Sequence, residues 1–135
     1  MNGGPIDWRE LFTSPAGRCS RARFWIATSV LFLLLAIYEA ISNGTLKLLT
    51  FWFVYPVLLA SGACVVSKRL HDRGRSGWWA ALVLLAVMLI WRAPTGGRFL
   101  LALPVMIWSV VELGLLPGEQ GANRFGPSPL AAVTA

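Results

Sequence analysis

The chain has 135 residues, of which 56% are hydrophobic and only 13% charged, with a mean hydropathy of +0.64. Soluble domains carry about 25% charged residues, and one core of this size cannot bury so much apolar surface, so a soluble globular fold is excluded. The net charge of +6 comes from cations that flank apolar runs, with no nucleic-acid-binding pattern beside them. They therefore point to anionic headgroups and topology rather than to nucleic acid.

In chain order, Trp8, Leu11 and Phe12 stand at i, i+3 and i+4, which predicts a short helix from Ile6 to Phe12 lying on the membrane surface. The first 17 residues are polar, and no cleavable signal peptide is read there. Four apolar runs follow, at about 24–41, 46–66, 77–91 and 99–116. A helix needs about 20 residues to cross the hydrocarbon core, and the first, second and fourth meet that length. The third reaches only about 22 Å at 1.5 Å per residue. It nevertheless begins with Trp78 and Trp79 and ends with Trp91, the aromatic belt of two interfaces. A re-entrant or surface helix is the alternative for this run. Asn43-Gly44 and Pro94 with Gly96-Gly97 are expected outer turns, Ser76 is a candidate cap, and Pro56 and Pro104 are expected to kink their helices. Ser61-Gly62-Ala63 would allow close helix approach. The tail after Leu130 is expected to fray.

Counting Lys and Arg in the short connections gives nine on one side and three on the other. By the positive-inside rule both termini are expected in the cytoplasm. Cys19 and Cys64 have no CxxC or histidine spacing, so neither a disulfide nor a metal site is expected, and Cys64 reads as a small packing residue.

Three polar segments could carry chemistry, all on the expected cytoplasmic side. The densest runs from Lys68 through Arg69, His71, Asp72, Arg73 and Arg75 to Trp79 and is expected as an inner loop. Arginine forks match phosphate geometry, so it is a candidate site for an anionic headgroup. The competing reading is a topology-setting loop with Asp72 paired to a neighbouring arginine. His71 and Asp72 are adjacent but point about 100° apart on a helix, so adjacency does not make them a dyad. The second segment, Gly17 to Trp25, carries Arg18 and Arg21 on one helical face. The third, Gly118 to Pro129, is too rich in Gly and Pro for a helix. If it folds back, Asn123 and Arg124 come near Asp72 and Glu112. Glu39 and Glu112 lie within apolar runs on opposite sides of the expected midplane, so a shared two-carboxylate site is not expected. Glu39 is expected to reach Lys47, Arg92 or Arg98, and Glu112 the inner arginines.

These segments, GR-x-SR-x-x-FW, RLHD-x-G-x-SGWW and G-x-x-G-x-NRFG-x-x-P, resemble the domain of unknown function 805 family of small bacterial inner-membrane proteins. The likeness extends from about Trp8 to Pro129. It departs at Cys19, Lys68 and Ser128, where an aliphatic residue, arginine and aspartate are usual. It implies a multi-spanning inner-membrane protein and no established activity.

The expected fold is an all-α membrane protein: one domain, 1–130, formed by a bundle of four transmembrane helices with a short N-terminal interfacial helix. The expected function is non-enzymatic. A cytoplasmic-face cluster of Arg18, Arg21, Arg69, His71, Asp72, Arg75, Glu112, Asn123 and Arg124 would bind anionic lipid or a partner protein, with no cofactor and no metal. A homo-oligomer is an open possibility. The alternatives are a small oligomeric transporter or channel, and a lipid-modifying enzyme using His71 and Asp72.

Overall fold

The computed structural model describes residues 7–92 and 95–129, the side chain of Arg92 excepted. The expected turn residue Pro94 and the tail beyond Leu130 lie outside the described residues. Among the described residues there are five α-helices: α1 Trp8–Thr13, α2 Arg21–Ile41, α3 Gly44–Asp72, α4 Trp79–Arg92 and α5 Gly97–Ser109. α5 continues without a break into a π-wound segment, Val110–Leu115. Among the described residues there is no strand, only an isolated bridge between Asn123 and Gly126.

Local chemistry explains most of the helix starts. Asp7 accepts from the backbone of Glu10 at 3.1 Å, Ser20 from Arg23 at 3.5 Å and Asn43 from Leu46 at 2.9 Å, each satisfying a donor of the first turn. Asn43 and Ser42 are all that separates α2 from α3, so the predicted tight turn doubles as a cap. α4 starts at Trp79, two residues later than the apolar run suggested, after turn bonds from Trp79 to Ser76 and from Ala80 to Gly77.

α2, α3 and the combined α5–π helix of 19 residues are long and apolar enough to cross a bilayer. At 1.5 Å per residue they measure about 31, 43 and 28 Å. α4 has 14 residues and is the short fourth member. Their outward faces are apolar: Leu33, Leu48 and Leu101 are 60%, 70% and 75% exposed. Such faces are stable only in lipid, so the chain is a multi-pass membrane protein.

α3 packs on α2 and α4, α4 packs on α5, and α2 meets the last helix through its π-wound segment. The tightly packed core therefore collects at one end of the bundle. There Leu11 of α1, Cys19, Phe24, Val65, Leu70 and Leu113 cluster, most of them fully buried. The expected short N-terminal helix is present, and it packs on the end of α3 through Leu11. We call this the basic end, and the end near Asn43 the far end.

Candidate functional site

The stretch read from sequence as an inner loop is not a loop over its first half. α3 runs 29 residues to Asp72, so Lys68, Arg69, His71 and Asp72 sit on its last turns. The reason is burial: Val65 to Leu70 and Asp72 are all enclosed by α1, the segment before α2 and the folded-back tail. The true loop is only Arg73 to Trp78, and its turn uses Gly74 in the left-handed region.

Asp72 is the hub. Arg18 donates from Nε to its Oδ1 at 3.0 Å, with Nη2 also 3.0 Å away, and Arg69 pairs with Oδ2 from one turn back on α3. All three side chains are at most 5% exposed. A carboxylate and two guanidiniums can be buried only when their remaining hydrogen-bonding capacity is met. The tail meets it for Arg18. Nη1 donates to the carbonyls of Gly121 and Gly126 at 2.7 and 3.3 Å, and Nη2 to that of Glu119 at 2.6 Å. The Glu119 amide in turn donates to the Asp72 carbonyl at 2.8 Å. Gly118 is required here because a Cβ at that position would overlap the Asp72 carboxylate.

Arg69 serves the last helix. A helix end leaves its final carbonyls without donors, and side chains supply them at five successive positions. Arg69 Nε donates to Leu113 O at 2.8 Å, Trp25 Nε1 to Gly114 O at 3.0 Å and Arg21 Nη1 to Leu115 O at 2.9 Å. Arg69 Nη2 donates to Leu116 O at 2.6 Å and Arg73 Nη1 to Pro117 O at 2.5 Å. Cations at a helix C-terminus also meet the negative end of its dipole. Lys68, fully buried, donates to the Glu10 carbonyl at 2.9 Å and pairs with its carboxylate at 3.3 Å, tying α1 to α3.

The rest of the predicted set surrounds this knot. Glu112 accepts from Arg75 Nε at 2.8 Å and Arg73 Nε at 3.3 Å, joining the inner arginines as expected. His71 Nδ1 lies 3.1 Å from the Gly17 carbonyl, and its ring stacks on Phe125 at 3.9 Å. Its Nε2 lies beside Gly77, and the Asp72 carboxylate is taken by Arg18 and Arg69, so the two are not joined as a dyad. Asn123 donates to the His71 carbonyl at 3.0 Å, and Arg124 to that of Gly74 at 3.3 Å while its guanidinium lies over the Phe125 ring. The tail thus folds back as its sequence suggested, with Asn123 on the His71 carbonyl and the Glu119 carboxylate and Arg124 on the Gly74 carbonyl, rather than on the side chains of Asp72 or Glu112. At the other end, Glu39 pairs with Lys47 and accepts from Tyr55 Oη. Burial pushes the Cys19 thiol up to about 11. Among the described residues no group of His, Cys, Asp and Glu is placed to hold a metal ion.

Residues 12–127 match the family described as Protein of unknown function (DUF805). The chain belongs to this family. Uncharacterized protein YiiR of Escherichia coli strain K12 is 37% identical over 120 residues, covering 82% of each chain, and its counterpart in Escherichia coli O157:H7 is equally similar. No solved structure matches the chain.

In this DUF805 chain all three polar motifs meet in one knot of hydrogen bonds. Sequence reasoning missed the acceptors, because the carbonyls of Leu113 to Pro117 and of Glu119, Gly121 and Gly126 belong to no residue type. It also left out Arg73, which looked like one loop cation among several, and Trp25, whose indole donates to the Gly114 carbonyl. The glycines were the available signal: a Cβ at Gly114 would stand 2.6 Å from the Trp25 ring.

Proposed function

We propose that this DUF805 protein resides in the bacterial inner membrane with both termini in the cytoplasm, performs no covalent chemistry, and holds anionic headgroups at its basic end. The observation that carries this reading is a division among the cations. Arg18, Lys68 and Arg69 are buried and spend their donors inside the protein. Arg9, Arg21, Arg75 and Arg124 are exposed at the same end, beside the exposed indoles of Trp8, Trp78 and Trp79. Exposed arginines next to interfacial tryptophans are suited to phosphate groups at membrane depth, each worth about 1 kcal/mol near an anionic leaflet. The nine-to-three distribution of Lys and Arg supports placing this end inside. The environment of His71, between Phe125 and the Gly17 carbonyl, speaks against a catalytic base.

The topology is tested with reporter fusions after residues 43 and 135, expected to read outside and inside respectively. For the headgroup, the protein is reconstituted with equal phosphatidylglycerol and phosphatidylcholine, and retained lipid is counted by native mass spectrometry. Wild type is expected to enrich phosphatidylglycerol, and the double variant Arg75→Ala, Arg124→Ala to lower that enrichment about thirtyfold, in line with about 1 kcal/mol for each of the two cations. Equal enrichment in the two proteins would refute the reading.

A further inference from the structure

Away from the knot, the helices do not close on one another. Between α2, α3, α4 and the last helix lies a groove of about 920 Å³, walled mainly by apolar side chains. Its α2 wall carries a stripe, Trp25, Thr28, Phe32, Leu35 and Glu39, at alternating spacings of three and four, flanked by Phe24 and Leu31. From Trp25 to Glu39 that stripe rises about 21 Å. Volume and lining fall in the range of small-molecule sites between bundle helices, which are mostly apolar with a few convergent polar groups. Here the charged groups converge at the far end, where Glu39, Lys47 and Tyr55 border the groove. Glu39 and Lys47 pair with each other, and Tyr55 donates to Glu39. Charge within a span is costly and points to a ligand or ion pathway.

We propose that this groove binds a phospholipid with a zwitterionic, amine-bearing head, its alkyl chain along the α2 stripe and its head at Glu39, Lys47 and Tyr55. The mouth offers one anion, one cation and one hydroxyl. An ammonium donates to Glu39 while phosphate oxygens accept from Lys47 and Tyr55, so each partner of the existing pair keeps an opposite charge. A head bearing only phosphate would press against the Glu39 carboxylate, and a choline head has no N–H to donate. The occupant is a lipid and not a helix of a second copy. The mouth's anion, cation and hydroxyl together match a zwitterionic head, whereas an apolar helix face of a second copy would bury that pair against hydrocarbon side chains in the groove. An alkyl chain, packing at carbon–carbon contacts of about 4 Å, fits within it.

The test reconstitutes the full chain with equal phosphatidylethanolamine, phosphatidylcholine and phosphatidylglycerol, and counts by native mass spectrometry the lipids that survive delipidation. Wild type is expected to keep phosphatidylethanolamine at least fivefold over phosphatidylcholine. Glu39→Gln is expected to abolish that preference, and Thr28→Trp, which fills the groove, to remove the tightly held phosphatidylethanolamine while leaving the phosphatidylglycerol held at the basic end. Gel-filtration profile and Tm establish that each variant folds. If Glu39→Gln does not fold, Tyr55→Phe serves instead, with an expected twofold or greater loss of retained phosphatidylethanolamine. Equal retention of ethanolamine and choline lipids by wild type, an unchanged preference in a folded Glu39→Gln protein, undiminished phosphatidylethanolamine in a folded Tyr55→Phe protein, or a lipid-free dimer that Thr28→Trp disrupts would each overturn the proposal. Arg75→Ala with Arg124→Ala, which tests the basic end, is expected to leave the ethanolamine preference intact, so the two sites succeed or fail separately.

Discussion

At the basic end Asp72 lies between two guanidiniums with its carboxylate 4% exposed, whereas at the far end Glu39 shares Lys47 and Tyr55 with its own side chain 29% exposed and that of Lys47 38%. Both are acid–base clusters at the edge of apolar helices, yet they do different work. The basic end combines burial with a dense set of backbone acceptors, so its charges cannot be removed singly without stranding a partner. At the far end the Glu39–Lys47 pair is partly exposed and borders the groove, so its charges are enclosed less tightly. Stability and accessibility are thus divided between the two ends of one bundle.

The largest expected effect comes from breaking the knot. Arg69→Ala leaves Asp72 short of a buried partner and uncaps Leu113 and Leu116, so it should cost about 3–5 kcal/mol. The check is loss of the folded protein, or a large fall in Tm, in detergent. Gly118→Ala drives a methyl into the Asp72 carboxylate and should cost about 1–3 kcal/mol, read in the same melt. Arg18→Lys keeps the charge but loses the fork that reaches Asp72 and three tail carbonyls together. It should cost about 1.5–3 kcal/mol and make the chain after Pro117 more readily cleaved in limited proteolysis. At the far end, Lys47→Ala should change stability by no more than about 1 kcal/mol, because the pair is partly exposed. A drop as large as that of Arg69→Ala would erase the contrast between the ends.

Cys19 offers a subtler readout of the same contrast. With its thiol near 11, about 0.1% is thiolate at pH 8, so alkylation of the folded protein should be slow beside that of the unfolded chain. Arg18→Ala, which loosens the tail, should accelerate it. The sign for stability follows: the raised pKa means a contribution fully present below the ordinary value of 9.0 and lost as pH rises through about 11. Alkaline melts between those values should show a fall in Tm that Cys19→Ala reduces.

How far the sequence could be read differs from element to element. The spans were legible because apolar length is a property of the chain alone, and the Asn43-Gly44 turn because turn chemistry is local; the capping roles of Asn43 and Ser20 emerged only in the structure. The pairing of Glu112 with the inner arginines followed from depth. The helical state of Lys68 to Asp72 was not legible: a run of charges after an apolar stretch reads as a loop unless something buries it. What buries it is a tail some 50 residues away, joined through backbone atoms that no motif records.

By itself, then, the sequence determined that the chain enters a membrane, where its helices lie, and which polar residues share an end, since hydropathy and charge act through solvent and need no partners. Only the tertiary structure decided what those polar residues do. It turned Arg18, Arg69 and Asp72 inward as a fastening, and left Glu39 and Lys47 beside a groove. The physical reason is that a charge's role depends on its burial and on the acceptors around it, and both are supplied by distant parts of the chain.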